Sequence, residues 1–557
     1  MSIFEKTLKA INKPKGAPEK TLAAIQRMRG HFLSGVRVPC MMYSGGKDSS
    51  VSQSMALVAW KMACDEMPRL KKVPFIIVSV NTLSEQPVKQ SYLGDEFAAC
   101  VQFAEENGFT LKIEKPMPTV GNRWAGKVVT GVYRNFSTET SRDHKCAVIW
   151  KIDPATRCLR KWESVIKDMG LRMLQIVGSR HDESQSRAES LDRFKANGYS
   201  IVPPSGAVKY DTIYPVYDFT KDDIWDYLLF AENETGAKFP AIKDGFDGTI
   251  SLYNDLSGGE CSFDQSGSSS CSGSRDGCWL CFASNAPMID ESLVKTNPHV
   301  SPLAEFRRFM LENDRNANLR NYIQTTMDKG KLFVKYNPNG LCGSYLLKIL
   351  EIGLTIQQRE LERAALVAKQ LKEGTYINTG GKVLDKPTFE IFRPEDILFI
   401  DLQWGMRGMQ LEPHAALKAY KRIVLDGERV DIPKGYVLDK PFSKNLDIQG
   451  KIFLGDVQVA ENLELDDCHI NDGGWDADID LCKSILSKEV LEDWLSKETS
   501  FIGAIQRILD SGAITVPKSQ IKAVNLRVEN VKKIYSSGLN KTAYDGGTIN
   551  YNDEKVA

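Results

Sequence analysis

"CMMYSGGKDSS", residues 40–50, is an apolar run that stops at two glycines and continues into a lysine, an aspartate and two serines. The run reads as a buried strand, and the following "SSVSQSMALVAWKMACDEM" reads as a helix. A strand that turns sharply into a helix leaves the first backbone N–H groups of the helix free, at the positive end of its dipole. That is an anion site. Gly45 and Gly46 let a phosphate approach the backbone, Lys47 adds a point charge, and the Ser44 and Ser49 hydroxyls add donors. The order of residues is neither G-x-x-x-x-G-K-S/T nor G-x-G-x-x-G. Asp48 would repel a polyphosphate unless a cation bridged them, which points to Mg²⁺ near the phosphates.

Outward from this turn, apolar runs alternate with amphipathic stretches: "VPCMMYS", then "VPFIIVSV", "YLGDEFAACVQFAEENG", "LKIEK" and "MLQIVGS". The expected fold is α/β, a parallel twisted sheet with helices on both faces. Residues 1–35 form a helical lead-in and 36–250 the nucleotide domain. Within it "TKDDIWDYLLFAENE" reads as a helix opened by a capping box of Thr220 and Asp223. Residues 251–375 hold a cysteine-rich loop and a helical region, in which Ser301 is the expected N-cap and Pro302 the first helical residue. Short apolar runs broken by Gly, Pro and Asp make 376–480 a mixed or β-rich region. A helical segment and a disordered tail are expected over 481–557.

The 557 residues carry 72 Lys+Arg against 72 Asp+Glu, so a globally basic nucleic-acid binder is disfavoured and only local patches remain. The N-terminus lacks the apolar core of a signal peptide and no run is long enough to span a membrane, so a cytoplasmic protein with no membrane partner is expected. Of the 12 cysteines, four fall at Cys261, Cys271, Cys278 and Cys281, spaced C-x9-C-x6-C-x2-C within a Ser/Gly-rich stretch. Four thiolates so close can close one metal site, and zinc and a 4Fe-4S cluster both accept four cysteines. The six histidines show no ligand spacing.

Residues 44–49 resemble the PP-loop of ATP pyrophosphatases, a superfamily that includes phosphoadenylyl-sulfate reductases and tRNA thiolases. The resemblance implies ATP as ligand, split between its α and β phosphates. It also implies Lys47, Asp48 and Ser49 as catalytic residues and Ser44, Gly45 and Gly46 as ATP contacts. In "VNTLSEQP" it places Asn81 and Thr82 around the adenosine. "RDHKCAVIWKIDP" (142–154) resembles the reductase-type R-x-C…K-x-x-P segment and offers Cys146 as a sulfur relay. "IVGSRHDESQSRAESL" (176–191) resembles G-x-R-x-x-E-S-x-x-R, with Arg180 and Arg187 as a bidentate phosphate clamp.

The cysteine block, "LYNDLSGGECSFDQSGSSSCSGSRDGCWLC", is similar to that of the DndC family, ATP pyrophosphatases of bacterial DNA phosphorothioate modification, including the single-stranded-DNA equivalent. That resemblance covers about residues 20 to 375. It implies an iron–sulfur cluster on the four cysteines, DNA as acceptor, a cysteine desulfurase as sulfur source and further subunits of a modification complex. Sulfonucleotide reduction, tRNA thiolation and a zinc-holding, ATP-binding scaffold are the alternatives. The reductases carry a reactive cysteine in a C-terminal tail and, in cluster-bearing members, an adjacent cysteine pair; this sequence has neither.

Overall fold

The structure, a computed structural model, describes residues 16–133, 145–206, 208–257, 278–280, 282, 293–314, 316–321, 324–328, 331–335, 340–378, 382–433, 451–456, 474–497 and 500–546. In chain order the first part runs α1 (Ala17–Leu33), β1 (Arg37–Met42), α2 (Lys47–Glu66), β2 (Phe75–Val78), α3 (Pro87–Asn107) and β3 (Leu111–Glu114). It continues through α4 (Asp153–Asp168), β4 (Arg172–Val177), α5 (Gln185–Arg193), β5 (Asp211–Ile213), α6 (Lys221–Phe230) and α7 (Asp247–Ser257). The five strands form one sheet in the order β3-β2-β1-β4-β5, and every pairing is parallel.

Alternation along the strands sends side chains to opposite faces. Met41, Phe75, Ile77, Leu174 and Ile176 face one core, shared with α1, α2, α3 and α6. Val38, Cys40, Ile76, Val78 and Met173 face the other, against Cys158, Leu159 and Ile166 of α4. This is the expected parallel sheet with helices on both sides. The capping box at Thr220 and Asp223 is formed, with Thr220 N–H donating to Asp223 at 2.7 Å and Asp223 N–H to Thr220 Oγ1 at 3.2 Å.

The later residues build a second core from α8 (Ser301–Asn313), α9 (Gly343–Glu373), α10 (Pro394–Arg407) and α11 (Ala415–Tyr420). They also contribute a three-stranded antiparallel sheet of β6 (Gln324–Asp328), β7 (Lys331–Lys335) and β8 (Lys451–Asp456). After β9 (Asp476–Ala477) come α12 (Ile479–Ile485), α13 (Lys488–Lys497), α14 (Phe501–Ser511), the short β10 (Ile514–Thr515), α15 (Ile521–Ser536) and α16 (Leu539–Asp545).

Three expectations are settled or corrected. First, between 376 and 480 the described residues are mixed rather than β-rich: α10 and α11 lie there beside β8 and the two-residue β9. The helix α10 was not read because residues 395–404 are all buried. A helix with no solvent face has no polar stripe to reveal its period. Second, a 3₁₀ turn, Pro298–Val300, precedes α8, so Val300 is the N-cap and Ser301 is already helical, donating to Glu305 Oε1 at 3.1 Å. Third, part of the expected tail is ordered: Leu539 and Ala543 of α16 are buried in the second core, while residues 547–557 lie outside the described residues.

The two cores are joined through residues 120–130, which leave the sheet after β3. Trp124 packs on Phe392 at 5.8 Å between ring centroids, and Trp404 Nε1 donates to the Val129 carbonyl at 2.7 Å. Arg123 Nη1 donates to Glu395 Oε1 at 2.8 Å and Asp396 Oδ1 at 3.0 Å, with all three residues buried. Burial raises the Asp396 carboxyl above its usual range, and Arg123 pulls against that rise. Removing one member leaves charge buried without its counter-ion, so Arg123→Ala is expected to cost about 3–5 kcal/mol. A urea denaturation curve, by its midpoint at unchanged slope, checks this.

Candidate functional site

β1 and β4 are neighbours from which the chain departs in opposite directions, toward β2 and β3 on one side and β5 on the other. The carboxyl ends of such a pair border a crevice that no crossover covers, where open α/β sheets bind ligands. Residues 44–49 follow β1 and residues 178–180 follow β4, so both segments meet at that crevice.

The turn is built for backbone exposure. Gly45 has φ +73°, and a Cβ there would lie 2.7 Å from Leu93 Cδ2, so glycine is required. Gly46 is the N-cap of α2 and gives no side-chain cap, which leaves first-turn N–H groups directed at the crevice. Ser49 Oγ donates to the Gly46 carbonyl at 2.8 Å and lies 3.1 Å from Ser44 Oγ, so the two expected hydroxyls clasp the turn. Gly178 brings β4 against it, since a Cβ there would stand 2.8 Å from both the Asp48 carbonyl oxygen and Ser49 Cα.

Asp48 sits between two cations. Its Oδ1 accepts from Arg180 Nε, and its Oδ2 from Lys47 Nζ at 3.1 Å. Arg180 is buried at 3 % exposure and directs Nη1 to the Phe219 carbonyl at 3.5 Å. As placed, the Asp48 carboxylate orients Lys47 and Arg180. With both oxygens engaged by cations it does not fit a magnesium anchor, and we assign no step to that ion.

The remaining candidates divide. Arg187, on α5, is exposed and only reaches Ser179 Oγ at 3.5 Å and Glu183 at 3.6 Å, so it does not join Arg180 in a clamp here. Asn81 Oδ1 accepts from the Leu83 N–H at 2.9 Å and from Gln90 at 3.2 Å. Thr82 is buried and accepts from the Ser84 N–H at 3.3 Å. Both shape the turn after β2. Cys146 is half-buried and packs against the second core.

Cys278 is the one member of the cysteine quartet among the described residues; Cys261, Cys271 and Cys281 lie outside them. Cys278 forms an antiparallel bridge with Glu85, and Trp279 N–H donates to the Ser84 carbonyl at 2.9 Å. The end of the cysteine stretch is thereby tied to the loop after β2, beside the phosphate turn. Among the described residues no group of three or more His, Cys, Asp or Glu is arranged to hold a metal ion, and no helix is long and apolar enough to cross a membrane.

Two residues missed in the sequence stand at the turn. Lys89, buried on α3, has its Cε 3.3 Å from where a Gly45 Cβ would lie and its Nζ 3.9 Å from Glu85. The Glu85–Lys89 spacing of one helical turn was its only sequence signal. Tyr253, on α7, accepts the Lys47 N–H at 3.1 Å; its place in the "LYND" that opens the cysteine block was its one sequence signal, and that gave it no role. Beneath the turn Tyr92 lies 3.0 Å from Ser50 Oγ and 2.7 Å from Thr249 Oγ1. Burial, with Glu96 nearby, pushes its phenol up to about 12, so it stays a neutral hydrogen-bonding group.

The buried thiols are chemically quiet. Burial pushes Cys64 and Cys100 up to about 12 and Cys158 to about 11. A thiol so raised carries little thiolate, the form that attacks or binds metal.

Gly178→Ala tests the closure of the crevice. Overpacking against backbone is expected to cost about 1–3 kcal/mol, read from the midpoint of thermal unfolding against the unsubstituted protein.

Residues 38–235 match the family model of the phosphoadenosine phosphosulfate reductase domain. No curated protein matches the chain. The matched stretch takes in β2 to β5 and the turn at residues 44–49, and over it this chain is similar to a phosphoadenosine phosphosulfate reductase domain.

Proposed function

We propose that this protein is an ATP pyrophosphatase that adenylates a backbone phosphate of DNA and so prepares it for sulfur incorporation. The observation that carries this reading is the placement of Cys278: the cysteine stretch is bridged to Glu85, one helical turn from Lys89 at the phosphate turn. One cysteine of the quartet, Cys278, thus lies beside the loop that borders the turn proposed to hold the nucleotide.

Phosphoryl chemistry asks mainly for positioning and charge stabilisation. The N–H groups of the α2 first turn and Lys47 hold the β and γ phosphates, and Asp48 with Arg180 fixes the direction of Lys47. An oxygen of the acceptor phosphate attacks the α-phosphorus. The bond from that phosphorus to the α–β bridging oxygen breaks, pyrophosphate leaves with the electron pair, and AMP stays on the acceptor. A cysteine desulfurase supplies the sulfur as a persulfide. A dithiol reductant cleaves its S–S bond, giving up two electrons and becoming a disulfide. The released sulfide attacks the acceptor phosphorus as AMP departs and the P–S bond forms. Without adenylation the same substitution would expel an oxide.

Cys261, Cys271, Cys278 and Cys281 are the proposed ligands of a 4Fe-4S cluster, with zinc as the alternative; either would supply a rigid closure for a Ser/Gly-rich segment. The protein acts in the cytoplasm with the other subunits of a DNA-modification complex.

The family match to 38–235 favours a second reading, reduction of a sulfonucleotide. That reaction needs a nucleophilic cysteine. Cys482 is buried, its thiol pushed up to about 12 by burial and then by Glu395, so it carries little thiolate for that role.

The test is an anaerobic reaction with α-phosphate-labelled ATP and Mg²⁺, offered duplex DNA, single-stranded DNA or bulk tRNA, with neighbouring gene products added in a parallel series. Pyrophosphate release that depends on DNA, reduced about a hundredfold or more in Lys47→Ala, is the expected result. Turnover only with tRNA would establish a thiolase, and sulfite release from a sulfonucleotide a reductase. ATP bound but unsplit throughout would leave a scaffold.

A further inference from the structure

The backbone N–H of Lys47 is the first donor of α2, and a phosphate seated on the turn needs it. In this structure it is already engaged by the Tyr253 hydroxyl at 3.1 Å. The rest of Tyr253 is fitted to the same place. Lys47 Nζ lies 5.4 Å from the centroid of its ring, a cation–π distance. Trp225 meets the ring edge-on at 5.7 Å, and a Cβ on Gly46 would stand 3.5 Å from the hydroxyl. A phenol oxygen thus occupies the position of an anion's oxygen.

We propose that Tyr253 is an internal competitor for the phosphate turn: its hydroxyl holds the Lys47 N–H until a polyphosphate oxygen displaces it. A charged acceptor makes a bond about twice as strong as a neutral one, so phosphate wins the shared donor. Part of its affinity is nevertheless lost in breaking the tyrosine bond. The displacement has a defined direction of consequence. Tyr253 belongs to α7, whose other end is held by Thr249 against Tyr92 at 2.7 Å, and Cys261 is the eighth residue after Tyr253 in the chain. Asp255, two residues on, accepts from Asn297 at 3.2 Å, on the far side of the cysteine stretch. Release of Tyr253 therefore acts on α7, which is also tied down by Thr249 and Asp255.

This inference rests on the reading that residues 44–49 bind a polyphosphate, and the test separates the two. Inorganic pyrophosphate is titrated calorimetrically into the full chain, into Tyr253→Phe and into Lys47→Ala. Tyr253→Phe keeps the ring beneath Lys47 and beside Trp225 but removes the acceptor. One ordinary hydrogen bond of competition corresponds to a Kd lowered about three- to tenfold, with Lys47→Ala weaker than wild type. If Tyr253→Phe binds equally or more weakly while wild type binds and Lys47→Ala does not, the competitor is overturned and the phosphate turn stands. If wild type and Lys47→Ala alike take up no pyrophosphate, both fall. Should Tyr253→Phe not fold, Tyr253→Leu removes the same acceptor and is read in the same way.

Discussion

The structure depends on one charge arrangement, the Asp48 carboxylate held between Lys47 and Arg180 where β1 and β4 end side by side. The two cations meet Asp48 where α2 begins, and exposed Asp182 stands 3.7 Å from Arg180 on its outer side. The carboxylate does more than partial neutralisation. A long lysine side chain at a helix start has many rotamers, and a buried guanidinium has few. Linking them through Asp48 gives Lys47 the order of its partner. Gly178 is the geometric condition for this, because only a residue without Cβ lets β4 approach the first turn of α2 so closely.

Around that point the molecule is organised as two cores with shared walls. Residues 120–130 leave the sheet and are buried in the second core, fastened by Arg123 between Glu395 and Asp396. Trp279 belongs to the same wall, packing on Trp124 at 6.2 Å and Phe306 at 6.3 Å while its backbone bonds the loop after β2. The residue next to Cys278 is therefore fixed by both cores at once. A cysteine stretch anchored in this way has little freedom at that end, which suits chemistry that needs it beside a nucleotide.

Much of the first core was legible because its signals are local. Four of the five strands, β1 to β4, read as short apolar runs, the turn at 44–49 as glycines between a strand and a helix, and the α6 start as a threonine three residues before an aspartate; the three-residue β5 was too short to show a pattern. What escaped was set by neighbours distant in sequence. α10 hides its period because burial on all sides removes the polar stripe. Arg180 and Arg187 look equivalent in "GSRHDESQSR", yet Arg180 is buried against Asp48 and Arg187 stands in solvent. Tyr253 lies 206 residues from the N–H it accepts, and no spacing rule reaches so far.

By itself, the sequence determined the class of sheet, the position of the glycine turn between β1 and α2, and the existence of a four-cysteine segment. Hydrophobic period, glycine and cysteine spacing act over a few residues, and the chain obeys them wherever it folds. Tertiary structure alone decided which carboxylate pairs with which cation, which tyrosine faces the phosphate turn, and that Cys278 is bridged to the loop beside it. Those are relations between segments brought together by the order of parallel strands and by close packing. A charge or a donor acquires its role from the groups within a few ångströms of it, and that distance is fixed only when the chain is folded.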